Sequence, residues 1–362
     1  MKIAIGGDIS VTEESYELFK NGDVKTAFGS VLDVFSGCDR VMVNLECAVT
    51  EKDTPIKKIG PNLKGPLGTV RTLKAAGVTD CLLSNNHIFD YGKAGVADTF
   101  SELAECGMPY TGYGKNYEDS RKNYFVEKDG VRVGIVNVCE HEYTYATESR
   151  EGARPFDPFE TMEDIRQAKR ECDHVIVVYH GGKEYCRYPS PRLVKACREM
   201  VRVGASAVLC QHSHIIGCYE KFEGGHILYG QGNFHFVECL EDEGWCEGLL
   251  LTLDVTKNDI KIDFIPTMAQ TNGGIDLAEP ERAARILSDM EKRNESLKDG
   301  TWRDGWHEYA LTCTEQYKRS FCGYKESDTP AEYQKFAHYL DCEAHSDIWH
   351  ELFPTYNSTN EA

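Results

Sequence analysis

The feature that most constrains this chain is a series of strand-length apolar segments, each ending abruptly in polar residues. They are Lys2–Gly6, Arg40–Asn44, Asp80–Ser84, Val131–Val138, His174–Tyr179 and Ala207–Cys210. Short, near-continuous apolar runs of this kind read as strands buried on both faces. Helix-period stretches at Thr69–Ala76, Gly95–Cys106, Phe159–Glu171 and Pro191–Val203 lie between several of them. Strand and helix in alternation predict an α/β fold with helices outside. Three more segment pairs flank Lys128-Asp129-Gly130, Gly224-Gly225 and Lys257-Asn258-Asp259 and read as hairpins. Hairpins beside βα units predict two packed sheets of mixed strand direction. From Ala278 onward the pattern is helical and rich in Glu, Lys, Trp and Tyr. The expected organisation is therefore a body over 1–274 and a helical C-terminal extension over 275–362 packed on it, with Ser358–Ala362 frayed.

Composition narrows the function classes. Forty basic residues against fifty-nine acidic ones give a net charge of -19. A nucleic-acid backbone would be repelled by that field. No run of about 18 apolar residues is present, so no membrane span is expected. The apolar stretch at Met1–Gly6 is too short for a signal-peptide core and reads as the first strand. Fifteen cysteines contain no Cys-x-x-Cys pair, and Cys81, Cys139 and Cys210 lie inside apolar runs. Such thiols behave as small hydrophobes in a reducing compartment, so a cytoplasmic location is expected.

The polar residues at the strand ends point to chemistry. The first run ends in Asp8 and the second in Asn44-Leu45-Glu46. The third ends in Asn85-Asn86-His87 with Asp90 close behind, and the His174–Tyr179 run ends in His180-Gly181-Gly182. Ala207–Cys210 runs into Gln211-His212-Ser213-His214, and Ile227-Leu228-Tyr229 into Gly230-Gln231-Gly232-Asn233. In an open α/β sheet, residues at the carboxyl ends of strands meet in space however far apart they lie in sequence. Taken singly, a strand-end histidine is ordinarily a hydrogen-bonded structural residue, and Asp8 could cap the segment after it. Together, imidazole, carboxylate and amide oxygen make a divalent-metal ligand set, suited to Mn, Fe or Zn rather than Ca. A carboxylate such as Glu46 can bridge two ions about 3.5–4 Å apart. An extended His212-Ser213-His214 would place both rings on one side.

This ordered set resembles the bacterial capsule-synthesis protein family (CapA, poly-γ-glutamate capsule) of the calcineurin-like metallophosphoesterase superfamily. The motifs are Gly7-Asp8, Asn44-Leu45-Glu46, Ser84-Asn85-Asn86-His87 with Asp90-Tyr91-Gly92, Tyr179-His180-Gly181-Gly182-Lys183-Glu184-Tyr185, His212-Ser213-His214 and Gly230-Gln231-Gly232-Asn233-Phe234. The resemblance covers roughly residues 1–270. It implies a four-layer α/β/β/α sandwich of the metallo-dependent phosphatase type with one or two divalent ions. It also implies that Asp8 and His214 hold one ion, that Asn86, His180 and His212 hold the other, and that Glu46 bridges. His87 falls where the superfamily keeps a histidine that protonates the leaving group. Asn44, Asp90, Asn233, Glu184 and Arg187 are expected to support ligands or meet substrate. One departure stands out: the phosphatases begin Asp-x-His, whereas Ile9-Ser10 follow Asp8 here.

Outside these motifs, Glu140 and His141 also follow a strand and are alternative ligands. The loop Lys52–Pro66, with Lys57, Lys58 and Lys64, reads either as solvated or as a basic mouth for an acidic substrate. His338 and His345 read as structural, and Trp245, Trp302, Trp306 and Trp349 as packing for the extension. The resulting expectation is a metal-dependent hydrolase-like protein of capsule or envelope-polymer biosynthesis. Water activated by metal would attack an ester, phosphoester or γ-glutamyl amide in an anionic polymer, its precursor or a small phospho- or γ-glutamyl substrate. A non-catalytic polymer-binding protein that keeps a metal site is the alternative, and a small-nucleotide phosphodiesterase a third reading.

Overall fold

A computed structural model describes residues 1–320 and 327–353 of the chain. The frayed end expected at Ser358–Ala362 lies outside these residues. Two sheets carry the fold. The first has eight strands. Ile275–Leu277, Ile260–Ala269, Glu247–Val255, Lys2–Ile9, Arg40–Leu45, Asp80–Leu82 and Tyr110–Thr111 lie side by side in that order, and Asn233–His235 pairs with the end of Lys2–Ile9. The second runs Tyr219–Phe222, Gly225–Leu228, Ala205–Gln211, His174–His180, Val131–Cys139 and Tyr124–Lys128. In the second sheet parallel pairing holds the middle. In the first, Lys2–Ile9 pairs parallel with Arg40–Leu45 on one side and antiparallel with Glu247–Val255 on the other. The three expected hairpins supply further antiparallel pairs.

Alternation along each strand explains the layering. Ile3, Ile5 and Met42 from the first sheet share one buried cluster with Ile135, Ile176, Val178 and Leu209 from the second, so the sheets pack face to face. Ala4, Val41 and Val43 point the other way, onto Phe19, Phe28, Phe35, Leu73 and Leu103 of the helices covering the first sheet. Val175, Val177 and Val208 likewise meet Ile165, Leu193, Cys197 and Met200. The result is the four-layer α/β/β/α sandwich. Within it, the helix Pro191–Arg202 starts where the Ser190 side chain accepts from Leu193 N at 3.1 Å, with Pro at its first turn. Three short helices between Tyr16 and Ser36 have no counterpart in the sequence reading, because five or six residues are too few to display a helical period.

The C-terminal part is helical: Pro280–Asp299, Trp302–Thr312, Thr314–Ser320, Pro330–Asp341 and Glu343–Leu352. Ile286 and Met290 enter the inter-sheet core, and Trp302 joins the outer layer of the second sheet. Trp306, Ala310, Tyr317, Tyr339 and Ile348 form a core of their own with Cys186. The strand Ile275–Leu277 pairs with Ile260–Ala269, so residues just past the expected boundary at 274 are part of the first sheet. Among the described residues no helix is long and apolar enough to cross a membrane.

Candidate metal centre

The site lies where the two sheets bring their carboxyl ends together. In the first strand the pairing with Arg40–Leu45 slips: Ile5 opposes Met42, but Asp8 opposes Asn44. The extra residue falls in Gly6-Gly7, where a Cβ on Gly7 would come within 2.9 Å of the Gly232 carbonyl oxygen. This glycine bulge sets Asp8 beside the second strand. Its carboxylate accepts from Asn44 Nδ2 at 2.7 Å and from the backbone N–H of His212 at 2.9 Å. Asn85 in turn donates to Asn44 Oδ1 and to the Leu45 carbonyl oxygen, both at 2.9 Å, locking the amide that orients Asp8.

His180 ends its strand with both ring nitrogens engaged. Nε2 lies 3.0 Å from Asn86 Oδ1 and 3.2 Å from Glu46 Oε1, while Nδ1 lies 3.1 Å from Asn44 Nδ2 and 3.4 Å from Asp8 Oδ1. Burial opposes a charge on this ring, but Glu46 and Asp8 outweigh it and raise its pKa to about 10. Burial equally opposes ionisation of Asp8, yet His180, His214 and Asn44 together hold its carboxyl well below the usual range.

His212 and His214 do not come together as an extended pair. Their φ angles are 80° and 58°, in the left-handed region that non-glycine residues avoid, and the ring centroids are 5.8 Å apart. His214 Nδ1 is 2.9 Å from Asn233 Oδ1, which fixes the ring, and Trp245 packs against it at 4.9 Å between centroids. Trp245 is thus a wall of the site rather than packing for the extension.

Glu46 is the focus of this geometry. It is fully buried, and neither carboxylate oxygen accepts a hydrogen bond from any described residue. His180 is near enough to pair in charge but lacks hydrogen-bond alignment. Ligand atoms of Asp8, Glu46 and His180 all lie within 4.8 Å of one another, and so do those of Glu46, His212 and His214. Glu46 is common to both sets. A buried carboxylate without donors is costly unless a cation meets it, so the residues fit one or two divalent ions with Glu46 between them. The grouping differs from the one the resemblance implies, since His180 clusters with Asp8, and His214 with His212. Ser10, in place of the second histidine, is buried and its hydroxyl has no partner among the described residues.

The remaining expected residues divide. His87 holds Asp90 Oδ2 through Nδ1 at 2.6 Å, and Lys58 reaches Asp90 Oδ1 at 2.8 Å. The Lys58 side chain is 3% exposed, so this part of the basic loop is built into the site rather than solvated. Burial and Lys58 push the His87 pKa below its ordinary value against the pull of Asp90. Glu184 lines a cavity of about 140 Å³ with Lys58, Asn86, His87, Lys183 and His212. Burial opposes its charge, but Lys183, His212 and His214 bring its pKa down to about 2. Arg187 instead lines a separate cavity with Tyr188, Glu247, Arg285 and Arg293. It is not brought to this site.

Neither Glu140 nor His141 reaches the centre. Glu140 accepts from Arg192 and from the N–H groups of Gly182 and Ala344, at 2.9, 3.1 and 3.2 Å, while His141 pairs with Glu343 at 2.6 Å. The residue the sequence reading missed is Glu142. It accepts from Asn86 Nδ2 at 3.0 Å and lies 3.5 Å from His212 Nε2. The signal was present, since Glu140-His141-Glu142 follow one strand, but only the bend of the chain decides which of the three turns inward.

Imidazoles and carboxylates converging from the strand ends define a candidate metal-binding protein built on a four-layer α/β/β/α sandwich. The chain belongs to the bacterial capsule synthesis protein PGA_cap family, whose sequence model matches residues 2–238. It is 30% identical over 248 residues to the capsule biosynthesis protein CapA of Bacillus anthracis, covering 66% of this chain and 59% of that one. It is also 30% identical over 244 residues to the PGA biosynthesis protein CapA of Bacillus subtilis strain 168, covering 66% and 63%. The matches thus span only about three-fifths of those relatives. Among solved structures, a hypothetical protein from Thermus thermophilus is similar with a TM-score of 0.48 at 17% identity, covering 75% of this chain and all of that one. A 5'-nucleotidase from Candida albicans is similar with a TM-score of 0.41 at 10% identity, covering 80% and 57%.

Proposed function

We propose that this protein is a metal-dependent hydrolase acting in the biosynthesis of a bacterial capsule or related anionic envelope polymer. The observation that carries the reading is Glu46, a fully buried carboxylate with no donor among the described residues, shared by two sets of ligand atoms. Asp8, Glu46 and His180 would hold one ion, and Glu46, His212 and His214 the other, with Mn, Fe or Zn suited to the donor set. Bound there, the ions supply an activated water and polarise the ester, phosphoester or γ-glutamyl amide to be cleaved. Asn86 orients His180, and Asn233 orients His214. Asp90 fixes His87 through Nδ1, which leaves Nε2 for the leaving group. Burial and Lys58 disfavour a charge on the resting ring, and an anionic substrate beside it would favour one. Lys58 and Lys183, on the cavity wall, favour such a substrate, whether a polymer end, a precursor or a small phospho- or γ-glutamyl compound. The fourteen described cysteines are all free thiols, which supports a cytoplasmic setting.

Ser10 favours a second reading, a polymer-binding protein that retains metal without turnover. The two readings separate in one experiment. Mn-loaded protein is assayed on a generic phosphodiester and on a γ-glutamyl oligomer. Hydrolysis of either, slowed roughly 10²–10⁴-fold by His87→Ala, is the expected result. No turnover of both substrates, with metal content confirmed, establishes the binding reading instead. Glu46→Gln tests the centre without a substrate. Saturating Mn at 100 times its dissociation constant should stabilise the wild type by about 2.7 kcal/mol in urea melts, and the variant by much less. An undiminished metal effect in Glu46→Gln would remove Glu46 from the centre.

A further inference from the structure

Beyond the strand-end centre lies a second convergence of ligating atoms, most of it outside the residues matched by the family. Glu142 follows the strand Val131–Cys139, His338 belongs to the helix Pro330–Asp341, and His345 to Glu343–Leu352. One oxygen of Glu142 and one ring nitrogen of each histidine all lie within 4.8 Å of one another. All three residues line the cavity of about 140 Å³ beside Asn86 and His212.

Each side chain is held in place. His345 meets the Tyr317 hydroxyl at 2.5 Å through Nδ1, which leaves Nε2 available, and its ring stacks on Tyr339 with centroids 4.4 Å apart. His338 stacks on Tyr143 at 4.6 Å and meets His345 edge-on at 4.8 Å, while its own ring nitrogens bond to no described residue. Glu142 is steadied by Asn86 Nδ2 at 3.0 Å and by the Cys342 thiol at 3.4 Å. Packing alone would be served as well by phenylalanine at 338, and the Tyr317 hydrogen bond uses only one of the two His345 nitrogens. Two imidazoles and a carboxylate, oriented by neighbours and opening on a polar cavity, are instead a preorganised ligand set.

We propose that Glu142, His338 and His345 bind a divalent ion of the zinc class, at a position separate from the two strand-end sets. Three protein ligands of this kind leave a fourth position open toward the cavity. The ion would pin the C-terminal helices to the edge of the main centre, because Glu142 also contacts Asn86 and His212. Binding here requires no hydrolysis at the strand ends, and zinc content can be measured for the two centres separately.

Full-length protein is stripped with chelator, loaded with ZnCl2, passed over a desalting column and analysed by mass spectrometry for bound zinc. His338→Ala/His345→Ala should hold one equivalent less than the wild type. A Glu46→Gln/His180→Ala variant, disabled at the strand ends, should keep that equivalent. Unchanged stoichiometry in the folded His338→Ala/His345→Ala protein overturns the proposal. If that variant does not fold, anomalous diffraction at the zinc edge from wild-type crystals decides. A peak between Glu142, His338 and His345 supports the site, and peaks confined to the strand ends overturn it.

Discussion

His235 is fully buried against Phe19 and Phe28, with ring centroids 4.8 and 5.2 Å away, and donates from Nε2 to the Ala27 carbonyl oxygen at 3.1 Å. Burial pushes its pKa down to about 4, against about 6.5 in an unfolded chain. Below pH 6.5 the unfolded chain therefore takes up a proton that the folded one refuses. The contribution to stability is complete above pH 6.5 and is lost as pH falls through 4, on the order of 3 kcal/mol in all. Urea midpoints measured at pH 7 and pH 4.5 should draw closer together in His235→Leu than in the wild type. An equal gap in both would mean that some other group carries the acid sensitivity. Residues of this kind are legible only in part. Asp8, Glu46, Asn86, His180, His212 and His214 converge as expected because each follows an apolar strand, and the fold gathers strand ends. Glu142 could not be told from Glu140 and His141 two and one positions earlier. His338 and His345 end no strand, so nothing local marks them, and they reach the cavity only because helices at the far end of the chain fold over it.

At the scale of elements, the strands and hairpins were open to reading because buried parallel strands are apolar on both faces and their turns are rich in Gly, Asn and Asp. Backbone conformation at the strand ends was not. An extended His-x-His segment is the ordinary expectation, yet His212 and His214 both adopt positive φ, and the turn converges by strain rather than by strand alternation. A measurable asymmetry results. At most positions glycine is about 0.5–1 kcal/mol less stabilising than alanine, but at φ 58° the Cβ is itself a liability. In metal-free protein, His214→Gly should be no less stable than His214→Ala by urea denaturation. A deficit of the ordinary size in the glycine variant would show that the turn relaxes once the ring is gone.

For the molecule as a whole, Arg192 fastens the C-terminal helices to the second sheet. Its guanidinium reaches Glu140 at 2.9 Å and Asp347 at 2.9 and 3.0 Å, and Glu140 also receives the N–H of Ala344. Arg192→Met would leave two buried carboxylates without their shared cation, a change that typically costs about 3–5 kcal/mol. Limited proteolysis should then cut within 300–350 sooner than in the wild type, with cleavage of the body unchanged. Equal cleavage rates would mean that the aromatic core around Trp306 and Tyr317 holds the helices by itself. Glu140 therefore has a role, though not the one its place after a strand suggested. The strand Lys2–Ile9 is completed by residues made much later. Asp8 leaves the ribosome well before its partners: its carboxylate waits for the N–H of His212, and its strand waits for Leu251–Asp254. At about 5–20 residues per second, some 250 residues of synthesis take roughly 10–50 s. Throughout that interval the nascent chain carries an aspartate with no site around it, so any ion the strand-end residues hold would be captured only once Glu247–Val255 has been made and has paired with the first strand.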